Sequence, residues 1–385
     1  MNKYSHKGIL NENFIIKNSS KKILLCCRMP HNNSYVGGVV SILQSYLRNK
    51  ELFKKYGNQI EIFDYQLAEK YEKYSSKLEN IAYFFQQRKA LAEKLKKEPN
   101  VIVHIHTSRE FLFLKDVLLA KMIKKKFNIP VILSIHVGDF HTVFNRIEVF
   151  QKYLILCINK YINKVIFLSQ KIENQFKEAG LEVSKSELLY NFYDLYSPLK
   201  EKKLIRSSKL HLIFIGAIHK DKGVIELLTA LNNLTDVDFH LDLCGKLTDE
   251  SIRVEFTRLV EKLGNKVTIQ GYVSGEKKHI LLQRADILIL PSYHEGMPLV
   301  ILEALATGCA IISTKVGTTP EILDETSVIW VRVKNSSDIE LAIKKLYNSF
   351  GTLKLMQEKN LNISFSYTLE NNIAKLCKIY LSLYK

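Results

Sequence analysis

Short apolar, β-branched runs alternate with longer amphipathic stretches from one end of the chain to the other, and that rhythm leaves few folds open. The runs KKILLCC (21–27), NQIEIFDY (58–65), NVIVHIHT (100–107), PVILSIHV (130–137) and KVIFLS (164–169) read as buried parallel strands. Between them Val39–Leu47, Ala82–Lys97, Phe111–Phe127 and Glu148–Tyr161 read as helices. Parallel neighbours need a crossover long enough to hold a helix, so the alternation dictates a doubly wound α/β sheet.

The rhythm breaks once and then resumes. Between Tyr196 and Lys209 the segment SPLKEKKLIRSSK is charged, carries a proline and has no apolar period, which reads as a linker. A second set of strands follows: LHLIFIG, DFHLDLCG, KVTIQGY, DILILPS, CAIIST and SVIWVRV. The expectation is two Rossmann-like domains facing a cleft, residues 1–198 and 199–366. The final helix, within 367–385, packs back on the first domain. Ligands of such sheets lie beyond the carboxyl ends of the strands, so the loops there are where chemistry belongs.

Length and composition fit this plan. A chain of 385 residues is comfortable for two cores. No stretch approaches the ~18–20 apolar residues of a membrane span. The first ten residues have no apolar core of a signal peptide, so the expected place is the cytosol. Six cysteines, none in a C-x-x-C pair, read as reduced and structural. The net charge of +17 is uneven: residues 1–190 carry 31 Lys and Arg against 17 Asp and Glu, the remainder 25 against 22. That excess fits either an anionic membrane surface or ordinary lysine-faced helices. A nucleic-acid partner is not expected, because no interleaved Arg and aromatic surface and no recognition motif accompanies the charge.

The most informative segment is DILILPSYHEGMPLVILEALATGCAIIST (286–314). Asp286–Pro291 is a strand and Ser292–Met297 the loop at its carboxyl end. Pro298 is expected as the first residue of the next helix, where its missing N–H costs nothing. Gly308 is expected to stop that helix. The loop thus delivers Glu295 and then free helix amides, which suit a phosphate or a sugar hydroxyl. Glu303 lies about two turns in, ~7 to 8 Å beyond the amides at 1.5 Å per residue. It fits either a ribose-binding carboxylate or a half-buried helix residue with a local partner.

Glu295 and Glu303, with seven residues between them, resemble the E-x7-E motif of the retaining group-4 glycosyltransferases, which have the GT-B fold. The surroundings ADILILPS, EALATG and VGTTPEIL match as well. So do Gly37–Val39 (GGV), His136 in SIHVGDF, VIFLSQ, Asn191–Asp194 (YNFYD) and Gly271–Val273 (GYV), in register along nearly the whole chain. The resemblance implies an enzyme moving a sugar from a nucleoside diphosphate, with UDP expected, to a saccharide or lipid-linked hydroxyl. The context implied is cell-surface polysaccharide or lipooligosaccharide synthesis. It makes Glu303 the ribose carboxylate and Glu295 a contact of the transferred sugar. The backbones of Gly296, Met297 and Leu299 would complete the sugar and diphosphate contacts, and that of Val273 would hold the base. Gly37 and Gly38 would let amides approach phosphate. His136 would meet the donor sugar near its reacting carbon, with His104 and His106 as a supporting layer.

Two positions depart from the pattern. The family carries an arginine and a lysine after the first strand of the second domain to grip the diphosphate. Here the loop is GAIHKDKG (216–223): Lys222 keeps the lysine, and Ala217 replaces the arginine, with His219 or Lys220 able to supply the charge. Phe192 replaces a glycine after Asn191. A D-x-D at Asp236 and Asp238 falls at the amino end of its strand, the wrong end for ligands, so no metal and no other cofactor is expected. A sugar-nucleotide epimerase on a similar fold is the competing reading; the E-x7-E register and the GGV loop favour transfer.

Overall fold

The computed structural model describes residues 21–27, 29, 38–64, 77–107, 110–136, 148–194 and 209–384. The linker reading for 197–208 and the glycine Gly37 therefore lie outside the described residues. Six strands precede residue 190: β1 (Lys21–Cys27), β2 (Asn58–Asp64), β3 (Val101–Thr107), β4 (Val131–Ile135), β5 (Lys164–Phe167) and β6 (Ser186–Leu188). Six follow residue 209: β7 (Leu210–Ile215), β8 (Phe239–Cys244), β9 (Val267–Gly271), β10 (Ile287–Leu290), β11 (Ala310–Thr314) and β12 (Ile329–Val331).

They form two six-stranded parallel sheets, β2-β1-β3-β4-β5-β6 and β12-β11-β10-β7-β8-β9. In each, the order reverses beside the first strand, so β1 and β7 sit where loops part to opposite sides and leave a crevice. β6 was not legible as a strand. It is three half-buried residues on a sheet edge, too short to show a period.

Helices cover both faces of each sheet, and the apolar clusters on either side are continuous with the strands. The six cysteines are all buried thiols within these layers. The last helix, Leu369–Leu381, buries Ile373, Leu376, Cys377 and Tyr380 against strands of the first sheet. The chain returns there through backbone contact at Tyr193, whose N–H donates to the Tyr367 carbonyl at 3.1 Å. Asn372 on that helix accepts from Tyr46 Oη at 2.6 Å and donates to the Tyr190 carbonyl at 2.8 Å. Among the described residues no helix is long and apolar enough to cross a membrane.

Candidate functional site

The loop after β10 is held in place from two sides. On one side Gly317, at φ +57°, lies so close that a Cβ there would sit 2.4 Å from the carbonyl oxygens of Glu295 and Gly296. The neighbouring Thr318 then donates to the Gly296 carbonyl from its N–H (2.9 Å) and its hydroxyl (3.1 Å). On the other side a Cβ on Gly223 would meet the Pro291 carbonyl at 2.2 Å, and the Tyr293 N–H donates to the Asp221 carbonyl at 2.8 Å. Only glycine permits these two approaches. They pin the Lys222 loop and the Glu295 loop together.

The helix after that loop spans Leu299–Ala306, and Pro298 is its N-cap rather than its first residue. With ψ 115° Pro298 is still extended, while its carbonyl accepts the first helical bond from Ile301 at 3.1 Å. At the other end Gly308 (φ +64°) closes the helix. Its N–H reaches the Leu305 carbonyl (3.0 Å), and the Cys309 N–H reaches that of Ala304 (2.9 Å).

Glu295 Oε1 accepts from Lys222 Nζ and from Ser292 Oγ, both at 2.7 Å. Glu303 pairs with Lys278 through Oε1, and its Oε2 is buried with no hydrogen-bond partner. Beside it His279 is 3% exposed with both ring nitrogens unpartnered, and burial lowers its pKa. The local partner expected of a half-buried helix residue is thus Lys278, which meets one oxygen of Glu303 and leaves the other unpaired.

A cavity of about 710 Å³ opens between the two sheets. Gly38, Ser41, Ser45, Arg48, Phe192 and Asp194 line it from the first domain, and Ala217, Lys222, Lys246, Val273, Lys278, Glu295, Met297, Leu299 and Glu303 from the second. A second cavity of about 250 Å³ shares Glu295 and Met297 and adds His136, Lys171, Gly296, Lys315 and Thr318. The structure therefore gathers Gly38, Lys222, Val273, Glu295, Met297, Leu299 and Glu303 around one space, and His136, Glu295, Gly296 and Met297 around the next.

His136 follows β4 and caps a ladder of three imidazoles. Its Nε2 lies 2.9 Å from His106 Nδ1, with the rings stacked at 5.2 Å. His106 in turn lies 4.1 Å from the ring of His104, which Ser134 Oγ (2.7 Å) and Tyr380 Oη (2.8 Å) fix in place. Burial lowers the His136 pKa to about 4 and that of His104, with help from His136, to about 3. Burial, then the other two rings, hold His106 well below its ordinary value. His136 is therefore a neutral ring at pH 7, with Nδ1 unpartnered.

The two departures have structural answers. Phe192, 3% exposed, stacks on Tyr46 at 5.3 Å, so the bulky residue is a core aromatic with one edge on the cavity wall. His219 turns to its own loop: Nδ1 accepts from the Asp221 N–H at 3.1 Å, and the ring lies 3.8 Å from Asp249. Neither His219 nor Lys220 is among the residues lining the large cavity, whereas Ala217 is. The charge that either could supply at the arginine's place therefore lies off the wall on which Ala217 stands. Asp236 lies outside the amino end of β8 and pairs with Lys344 at 3.2 Å.

Sequence reasoning missed Lys246, Lys278 and Glu321. The Glu321 carboxylate takes hydrogen bonds from Ser169 Oγ (2.7 Å), the Gln170 N–H (2.7 Å), the Lys171 N–H (3.2 Å) and Tyr190 Oη (3.0 Å), joining the second domain to the first. Glu321 falls within the VGTTPEIL match, but no local spacing gives the partners of any of the three, because each partner comes from a distant loop.

Residues 197–361 match the family model described as Glycosyl transferases group 1. An uncharacterized glycosyltransferase of Methanocaldococcus jannaschii is 27% identical over 269 residues, 67% of this chain and 70% of that protein. The N,N'-diacetylbacillosaminyl-diphospho-undecaprenol alpha-1,3-N-acetylgalactosaminyltransferase of Campylobacter jejuni is 28% identical over 241 residues, 58% of this chain and 61% of that one. Among solved structures, the Anabaena protein HepE in complex with UDP superposes with a TM-score of 0.69 at 15% identity, covering 94% of this chain and 100% of that one. Its complex with UDP-glucose superposes with a TM-score of 0.67 at 16% identity, covering 94% of this chain and 99% of that one.

Proposed function

From the premise that residues 197–361 form a group 1 glycosyltransferase domain, on a chain of GT-B fold, we propose that the protein transfers a sugar from a nucleoside diphosphate, UDP foremost, with retention of anomeric configuration. The acceptor is a hydroxyl of a saccharide or lipid-linked saccharide in cell-surface polysaccharide or lipooligosaccharide synthesis. The supporting observation is the convergence of Lys222, Glu295, Glu303 and the start of the Leu299–Ala306 helix on one cavity that opens beside His136.

In this reading the free Oε2 of Glu303 accepts from a ribose hydroxyl, the Val273 backbone holds the base, and the Gly38 amide faces phosphate. Lys222 and the first amides of the Leu299–Ala306 helix neutralise charge on the departing diphosphate, which stabilises the transition state. Glu295, steadied by Lys222 and Ser292, binds hydroxyls of the transferred sugar, with the Gly296 and Met297 backbone. Neutral His136 offers Nδ1 to the same sugar. The bond from the anomeric carbon to the diphosphate oxygen breaks while the acceptor oxygen bonds that carbon from the same face. The acceptor's proton passes to the leaving phosphate oxygen.

Thermal shift across UDP-, GDP- and ADP-sugars tests the donor, because a bound ligand stabilises the fold by mass action. A UDP-sugar is expected to raise Tm, and product NMR to show the donor's anomeric configuration retained. Stabilisation by no nucleotide sugar, or an inverted product, would contradict the reading. Isomerised sugar nucleotide without an acceptor would favour an epimerase.

A second reading concerns membranes. Leu118 (38% exposed), Tyr153 (46%) and Leu156 (67%) lie on adjoining helices of the first domain. Lys121 joins them through Tyr153 Oη at 3.3 Å, and Lys121, Lys125 and Lys160 surround the Tyr161 ring at 5.7 to 5.9 Å. Apolar tips among lysines suit an anionic lipid surface at the cytoplasmic face. Binding to phosphatidylglycerol vesicles should weaken steeply between low and physiological salt, and Leu156→Glu should abolish it. Binding indifferent to salt and lipid charge would leave the lysines as a solvated face.

A further inference from the structure

The second domain lacks the arginine that the resemblance expects beside Lys222, and Ala217 stands in its place on the cavity wall. Three lysines line that cavity, but two are already committed. Lys222 is paired with Glu295 at 2.7 Å, and Lys278 with Glu303. On the first domain's wall Arg48 is paired with Asp194 at 2.7 Å. Among the described residues lining the cavity, each carboxylate therefore has its cation, and the single positive charge left over is that of Lys246.

Its position follows from the sheet. β7 and β8 are neighbours, and their carboxyl-end loops run on in backbone contact. The Ile218 N–H donates to the Lys246 carbonyl at 2.9 Å, and the Thr248 N–H to that of Ile218 at 3.0 Å. A Cβ on Gly245 would lie 1.8 Å from the Gly216 carbonyl oxygen, so only glycine brings the loops this close. Lys246 thus leaves its loop next to Gly216 and Ala217. Its ammonium stands 5.9 Å from the centre of the Tyr272 ring, with no carboxylate in ion-pair range among the described residues. Alanine at 217 leaves that space open.

We propose that Lys246 is the second cation on the donor diphosphate, carrying from the β8 loop the charge that Ala217 removed from the β7 loop. This rests on the reading of the cavity as a nucleoside-diphosphate site. An uncommitted ammonium at a site whose other charges cancel contributes its full field to an incoming anion. It also needs no carboxylate to release it.

Calorimetric titration of the full chain with UDP and with uridine tests it, GDP and guanosine replacing them if the parent prefers that base. Lys246→Met should weaken diphosphate binding about 10-fold or more, the range for a lost bond to a charged group. It should leave nucleoside binding and Tm unchanged and flatten the salt dependence of UDP binding. Lys246→Arg should stay within a few-fold of the parent, and Ala217→Arg in the Lys246→Met background should restore most of the loss. Equal UDP affinity in parent and Lys246→Met overturns the inference alone. So does an equal loss for UDP and uridine, which would place the side chain on the base through Tyr272. A parent that binds no nucleoside diphosphate overturns the donor reading, and this inference with it.

Discussion

Replacing Glu321 by alanine should loosen the two domains from each other. The carboxylate sits at the N-terminus of the helix Gln170–Glu178, where Ser169 is the N-cap and the Gln170 and Lys171 amides have no partner within the helix. A carboxylate at such a terminus contributes about 1 kcal/mol. The hydroxyl bonds from Ser169 and Tyr190 contribute about 1.5 kcal/mol each as bonds to a charged acceptor. Glu321 is half-buried and partly screened, so the sum of about 4 kcal/mol falls to about 2 to 3 kcal/mol. That corresponds to roughly a 30- to 150-fold weakening of this contact between the domains. Burial first, then the Glu321 charge, raises the Tyr190 pKa, so its hydroxyl stays a donor throughout the working range. Small-angle scattering should show a larger radius of gyration for Glu321→Ala, and donor affinity should fall because residues of both domains line the cavity. Glu321→Gln, which keeps an accepting oxygen, should fall between. Scattering, Tm and donor affinity all unchanged in Glu321→Ala would refute the clamp.

Three further outcomes are expected. Lys222→Ala should cut kcat by about 100-fold, as loss of one donor aimed at developing charge does, with Ala217→Arg restoring part of it in steady-state kinetics; a loss of only a few-fold would move the diphosphate grip elsewhere. His136 is held neutral at about 4, so kcat/KM should be flat through pH 6.5; an inflection there that His136→Ala removes would contradict the burial argument. Asp116 is 3% exposed, and burial lifts its pKa to about 7 against an unfolded value near 4. The folded state then holds a proton that the unfolded state has lost, so this group costs stability progressively from about pH 4 to pH 7. Asp116→Asn should gain on the parent by up to about 1.4 kcal/mol per pH unit across that window, and a gain independent of pH in urea melts would overturn the assignment.

The alternation of apolar runs and helices made every strand but β6 legible, because strand and helix periods are local and the central strands β1, β3, β4, β10 and β11 are buried almost throughout. The unit from Ile287 to Thr314 was legible for the same reason: strand, loop, helix and stop lie within one stretch of chain, which sets the spacing of Glu295 and Glu303, while Gly223, Gly317 and Thr318 from outside it hold the loop. The misplacement of Pro298 by one residue is a local error of the same kind, decided by its extended ψ. What the chain could not reveal by itself is which loops become neighbours. Lys222 meets Glu295 across 73 residues, Lys278 meets Glu303 across 25, Glu321 meets Ser169 across 152, and Tyr380 meets His104 across 276. Sheet order decides those meetings, since β7 lies between β10 and β8 and so collects the loops bearing Lys222, Glu295 and Lys246 at one crevice. An ion pair of two surface-type residues leaves no periodic trace in sequence. Its partners are chosen by the three-dimensional path of the strands that carry them.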